Sequence, residues 1–258
     1  MSYWSGGYYK NINQYLIDFH KLSVFLIKKY YGECHLITDT YSKDFFKDVQ
    51  FTSINTDLDV LNGVKTHNWA LGKIFTYKLL SEKNIPFVHI DYDVFLWNPL
   101  PQKLLDSQVF VQNIEQNVYE TYNLTVLDKL YFNKHLIDKI STKDTAYNMG
   151  IFGGNNLEFI KKYANAAIQF TLDEDNVYCY NEMIKKYSYA VACLCEQYYL
   201  NICSKKWNIP ITCLLNKTDE NKLEEEANQI GYTHINYGKD EPKVKENLYL
   251  RLKELGIN

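Results

Sequence analysis

Asp91 and Asp93 are the residues of this sequence best spaced for chemistry. They close the run Phe87-Val88-His89-Ile90-Asp91-Tyr92-Asp93. In an extended chain, residues i and i+2 share a face, so at a strand end both carboxylates reach one open site. Two hard oxygen ligands with room left for water suit Mg²⁺ or Mn²⁺, ions that also hold phosphate oxygens. The plainer reading is two strand-end acids capping a turn. An apolar strand before the pair, and an apolar turn with Trp97 and Pro99 after it, favour the site.

Other side chains offer partners. Gly6-Gly7 forms a turn that lets backbone approach a ligand. Lys73 sits one helical stretch before the carboxylate strand. It either reaches phosphate or base, or is an ordinary solvated helix lysine. Glu196-Gln197 lies among Val191, Ala192, Leu194, Tyr198 and Leu200. A carboxylate buried there needs a partner. His234 falls at the end of a strand-like run, where a neutral imidazole is a ready ligand; a packed structural histidine is the alternative. Cys193-x-Cys195 with Cys203 reads as buried thiols, because no Cys-x-x-Cys spacing exists.

The elements that must position these groups alternate between helix and strand. A short strand over 2–5 precedes a helix over 14–31, with apolar residues at helical spacing and Gly32 as its stop. A buried strand over 34–39 follows. Next come a short helix over 40–49 with Phe45 and Phe46 inward, a weak strand over 51–54 and a polar loop over 57–65. A helix over 67–83 ends before Pro86. Beyond the carboxylates the pattern predicts strands at 107–112 and 146–152 and helices at 117–140 and 157–171. A long apolar helical region over 180–203 is broken near Ser188. A strand at 211–215, a charged helix at 218–229 stopped by Gly231, a strand at 232–237 and a closing amphipathic helix at 242–255 complete the chain. Helix, glycine, strand in succession marks α/β crossovers. The expectation is a single α/β domain over residues 1–258, with a central mixed sheet, helices on both faces and the site at the strands' C-terminal edge.

Composition narrows the function. The chain of 258 residues is 46% hydrophobic and 23% charged, as expected of a globular protein. A net charge of −3 argues against a general nucleic-acid binder. The first residues lack the basic and apolar regions of a signal peptide. No apolar run approaches the ~20 residues needed to span a bilayer. A cytoplasmic location is the expectation. The closing helix carries Lys243, Lys245, Arg251 and Lys253, which allows at most peripheral membrane contact.

The block from Trp69 to Pro101, with Lys73 and His89-Ile90-Asp91-Tyr92-Asp93, resembles the nucleotide-binding half of a GT-A (Rossmann-like) glycosyltransferase. The resemblance implies a divalent cation, Mn²⁺ or Mg²⁺, held by Asp93 and Asp91 against the diphosphate of a nucleotide sugar. Asp91 and Tyr92 would also lie against the nucleotide. Tyr147-Asn148-Met149-Gly150-Ile151-Phe152-Gly153-Gly154-Asn155 resembles the Asn-x-Gly strand of retaining enzymes of the glycogenin and lipopolysaccharide galactosyltransferase kind. It implies that Asn148 and Gly150 lie beside the donor sugar. His234-Ile235-Asn236-Tyr237-Gly238-Lys239 resembles the His-x-x-Gly-x-x-Lys element of that family. It implies His234 as third metal ligand, with Gly238 and Lys239 at the diphosphate. The spacing departs from the family: three residues separate His from Gly, and Lys follows Gly directly. Glu196-Gln197 resembles the Asp-Gln pair beside the reaction centre, with Glu in place of Asp. Trp4, Ser5 and Tyr8 stand where such folds meet base and ribose, and Lys73 where phosphate or base is reached. Trp69 and Trp97 read as core.

The implied activity is transfer of a hexose from a nucleoside diphosphate sugar, UDP-linked, to a hydroxyl of a glycan, lipid-linked or protein acceptor, with retention. An inverting enzyme would need a carboxylate base facing the acceptor, a role open to Glu196 or another acid. The alternatives are a nucleotidyltransferase acting on sugar phosphates and a non-catalytic nucleotide-sugar-binding protein.

Overall fold

Side chains that satisfy free backbone groups decide where the elements begin and end. The computed structural model describes residues 1–7, 12–124, 129–130, 144–236 and 238–257. Helix α1 (Gln14–Tyr31) starts at Asn13, whose side chain accepts from the Leu16 amide at 2.9 Å. It ends at Gly32, whose φ of 76° is easy only for glycine. Strand β1 (His35–Ile37), helix α2 (Thr40–Lys43), a 3₁₀ turn (Asp44–Phe46) and strand β2 (Ser53–Asn55) follow. Phe46 is buried there, but Phe45 is 43% exposed. The 3₁₀ geometry turns only one of the two expected rings inward. The expected polar loop is a second 3₁₀ turn (Asp57–Leu61), which buries Leu58 and Leu61.

Helix α3 (Leu71–Glu82) leads to β3 (Phe87–Ile90) and β4 (Val94–Leu96). Next come α4 (Gln102–Leu105), β5 (Phe110–Gln116), α5 (Val118–Thr121), β6 (Thr145–Gly154) and α6 (Leu157–Thr171). Of the helix expected over 117–140, only α5 is a described α-helix; residues 125–128 and 131–140 lie outside the described residues. Helix α7 (Val177–Lys186) is separated from α8 (Ala190–Cys193) near Ser188, as the sequence predicts. A π turn (Leu194–Tyr198) joins α8 to α9 (Tyr199–Lys206). Strand β7 (Thr212–Cys213), α10 (Glu220–Ile230), β8 (Tyr232–His234) and α11 (Pro242–Glu254) close the chain.

The result is a mixed α/β fold around a mixed central sheet of order β3-β6-β5-β7. Strand β6 is antiparallel to β3 and β5, and β7 is parallel to β5. Side chains alternate between the two faces. Val111 and Phe152 pack with Ile74 and Tyr77 of α3 and Ile160 and Tyr163 of α6. Phe110 and Ile151 point the other way and join Leu16, Val24 and Ile27 of α1. Helices therefore flank both faces. Strands β1 and β2 form a parallel pair, with Ser2 bridged to Ile37, and β4 and β8 form an antiparallel pair. No helix among the described residues is long and apolar enough to cross a membrane.

Two connections position the carboxylates. Strand β3 stops at Ile90, and the Asp91 amide donates to Gly150 O at 2.9 Å. The Val94 amide then donates back to Asp91 O at 3.1 Å. Asp91-Tyr92-Asp93 is therefore a tight turn between two strands, where the sequence suggested the open end of one. The β4–β8 register sets His234 opposite Val94, and the Ile235 amide donates to Asp93 O at 3.1 Å. Backbone pairing thus delivers His234 to the turn.

Candidate functional site

The turn and the end of β8 bring three candidate ligands together. One ligand atom each from Asp91, Asp93 and His234 lies within 4.8 Å of the others. Asp93 is buried, and its Oδ1 has no hydrogen-bond partner although His234 Nε2 is 3.5 Å away. That distance is too long for a good hydrogen bond. A buried carboxylate oxygen left unpaired beside an imidazole nitrogen is a costly arrangement that a cation relieves. Two carboxylates and one imidazole with space between them fit Mn²⁺ or Mg²⁺.

Two lysines balance the acids. Lys239 Nζ lies 2.5 Å from Asp93 Oδ2. Burial pushes the Asp93 carboxyl up, but His234 and Lys239 pull harder and hold it well below the usual carboxylate range. Lys73, from α3, lies 3.0 Å from Asp91 Oδ2 and 2.9 Å from Glu196 Oε1. Only 11% of its side chain is exposed, which excludes a solvated helix lysine. Burial weakens the Lys73 ammonium, yet Asp91 and Glu196 together keep it above the usual lysine range. Burial raises both Asp91 and Glu196, opposed by Lys73.

Glu196 is 1% exposed and has the partners its burial requires. Tyr77 OH donates to its Oε1 at 2.9 Å, and Tyr163 OH donates to its backbone carbonyl at 2.8 Å. It sits in the π turn. The wider turn lets adjacent Glu196 and Gln197 both line the cavity. Across the cavity, Asn148 Nδ2 donates to Glu115 Oε1 at 2.7 Å, and Tyr122 OH bonds to Glu115 and to Gln197.

These groups bound a cavity of ≈ 280 Å³. A smaller chamber of ≈ 90 Å³, walled by Ser2, Trp4, Trp69 and Tyr92, shares Lys73, Asp91, Asp93 and Lys239 with it. The carboxylate turn stands at the junction of the two. Gly150 lines the larger chamber, but a Cβ there would meet Gln112 Oε1 and His234 Nδ1 at 2.5 Å each. The glycine makes room for the histidine. Gly238 has φ 69° and turns the chain into Lys239.

Most of the expected residues converge. Ser5 does not: its amide donates to Asp39 Oδ2 at 2.6 Å, and it lines neither chamber. Tyr8 lies outside the described residues. Trp69, expected in the core, is half-buried and walls both chambers. Gln112, Glu115 and Tyr122 carry no motif. The signal for Gln112 and Glu115 is the polar run Gln112-Asn113 and Glu115-Gln116 continuing a strand beyond its apolar part.

The profile of a family of unknown function, DUF6734, matches residues 3–254. The chain belongs to the DUF6734 family. The match spans the carboxylate turn, the Asn148–Gly150 segment, the π turn and His234. No curated protein matches the chain.

Proposed function

We propose that this protein is a metal-dependent glycosyltransferase that moves a hexose from a UDP-linked sugar to an acceptor hydroxyl in the cytoplasm. The observation that carries the reading is the meeting of Asp91, Asp93 and His234, with ligand atoms within 4.8 Å of one another. Asp91, Asp93 and His234 would hold Mn²⁺ or Mg²⁺. A bound divalent cation supplies charge neutralisation for a diphosphate leaving group. Lys239 adds a compact positive charge at the same place. Trp4, Trp69 and Tyr92 give the smaller chamber aromatic walls for the nucleoside. Asn148, Glu115 and Gln197 give the larger one hydrogen-bonding groups for the sugar hydroxyls.

Retention is favoured. The ground is the likeness of the Asn148–Gly150 strand to that of retaining enzymes; of the cavity's glutamates, Glu196 is held by Lys73 and Tyr77 and is 1% exposed. The acceptor is a glycan, lipid-linked or protein hydroxyl. A panel of nucleotide sugars scored for slow hydrolysis with Mn²⁺ tests the reading. A UDP-hexose should be hydrolysed by the wild type and spared by Asp93→Ala, with unchanged circular dichroism. Undiminished turnover in Asp93→Ala would remove the turn from the mechanism.

A further inference from the structure

An imidazole ligates a metal through a nitrogen that carries no proton, and the partner of its other nitrogen decides which one that is. For His234 that partner is Gln112, a buried residue of β5. Gln112 Oε1 lies 2.6 Å from His234 Nδ1 and 2.6 Å from Tyr232 OH. With the amide oriented this way, Oε1 accepts from the Tyr232 hydroxyl and can accept from the ring as well. Nδ1 then carries a proton and donates as well. When a cation takes the place of a proton at Nε2, the ring's lone pair falls on that nitrogen, 3.5 Å from Asp93 Oδ1, which has no hydrogen-bond partner.

The backbone around Gln112 is built for this contact. Val111 pairs with Phe152 and Asn113 with Asn148. Met149, Gly150 and Ile151 of β6 are therefore opposite Gln112 alone. Bulges of this kind re-aim side chains beside functional sites. The middle residue of the bulge is Gly150. Any larger residue would put a Cβ 2.5 Å from both Gln112 Oε1 and His234 Nδ1. The bulge, the glycine and the tyrosine hydroxyl thus serve one contact between two strands that are not neighbours in the central sheet.

We infer that Gln112 is the positioning residue of the metal centre, holding His234 as its Nδ1–H tautomer and aiming Nε2 at the cation. The metal part of this inference rests on the proposed function, whereas the tautomer stands on hydrogen bonding alone. The two are tested separately.

The tautomer is read in the metal-free full chain, labelled with ¹⁵N-histidine, at a pH where the ring's own nitrogen resonances report a neutral imidazole. His234→Ala assigns the resonance. The Nδ1–H form is expected. The Nε2–H form would mean that the Gln112 amide presents its NH₂ to the ring, and would overturn the inference. Mn²⁺ binding in the presence of UDP, followed by electron paramagnetic resonance, reads the consequence. Gln112→Leu should weaken binding about 10–100-fold, and Gln112→Glu, which keeps an acceptor, by no more than about threefold. Added to His234→Ala, Gln112→Leu should cost nothing more, because it acts through the ring; an additive loss overturns the inference. Should Gln112→Leu not fold, Gln112→Glu and the wild-type tautomer decide. A wild type that binds no Mn²⁺ overturns the metal role and the proposed function together. An Nε2–H tautomer in a wild type that does bind Mn²⁺ overturns this inference alone.

Discussion

Lys73 holds apart two carboxylates that would otherwise face each other. It is 3.0 Å from Asp91 and 2.9 Å from Glu196, with little solvent around it. Removing one partner of a buried ion pair leaves an uncompensated charge. Lys73→Met should therefore destabilise the protein by about 3–5 kcal/mol in urea unfolding. Adding Glu196→Gln should recover part of that loss; a strictly additive double variant would show that the two side chains are not coupled. At this scale legibility followed spacing. Asp91 and Asp93 are visible in the sequence because one residue separates them. The sequence does not separate anion contact from solvent for Lys73, because one lysine on a helix looks the same either way. Glu115 and Gln112 are not legible, because a polar stretch ending a strand does not reveal whether its face meets water or a cavity. Trp69 was misread because a large aromatic fits a core and a cavity wall equally well.

Strand β6 joins the core to the site, and its glycines do different work. A Cβ at Gly153 would stand 2.4 Å from the Phe87 carbonyl, which is backbone and cannot swing away. Gly153→Ala should therefore cost about 1–3 kcal/mol of stability by forcing β3 and β6 apart. At Gly150 the obstacles are two side chains, His234 and Gln112. Gly150→Ala should weaken Mn²⁺-dependent UDP binding about tenfold or more, as loss of an orienting contact does. Calorimetry on both variants checks the contrast, and equal UDP affinity for Gly150→Ala and wild type would contradict it. Helix α6 and the limits of α1 were legible from apolar periodicity and from Asn13 and Gly32. The π turn was not. Its mark is a wider backbone turn at Glu196, and composition carries no trace of it. The register that seats His234 opposite Val94 joins residues far apart in the chain, and no local pattern encodes it.

Across the whole molecule, the turn rests on a buried histidine. His20 is fully buried, stacks on Tyr92 with centroids 4.9 Å apart, and has its Nδ1 2.9 Å from Leu16 O. Burial pushes its pKa down to about 4. The folded value is below the unfolded one, so the unfolded chain binds more protons between them. The stability from neutral His20 is fully present above about pH 6.5 and is lost as pH falls toward 4. Between about pH 7.5 and pH 4 the wild type should lose about 3 kcal/mol relative to His20→Phe, which keeps a ring but cannot titrate. A pH-independent difference would contradict this. The α/β class and the sheet flanked on both faces were legible, because alternating helices and buried strands leave few other architectures. Of the helix expected over 117–140, Val118–Thr121 is helical and most of the rest lies outside the described residues. The central claim is that Asp91, Asp93 and His234 bind a divalent cation that in turn binds a nucleoside diphosphate. Calorimetric titration of the full chain with UDP, in Mn²⁺ and then in EDTA, tests it directly. The account predicts binding in Mn²⁺ that is lost in EDTA and in Asp93→Ala. Equal affinity with and without the metal would contradict it.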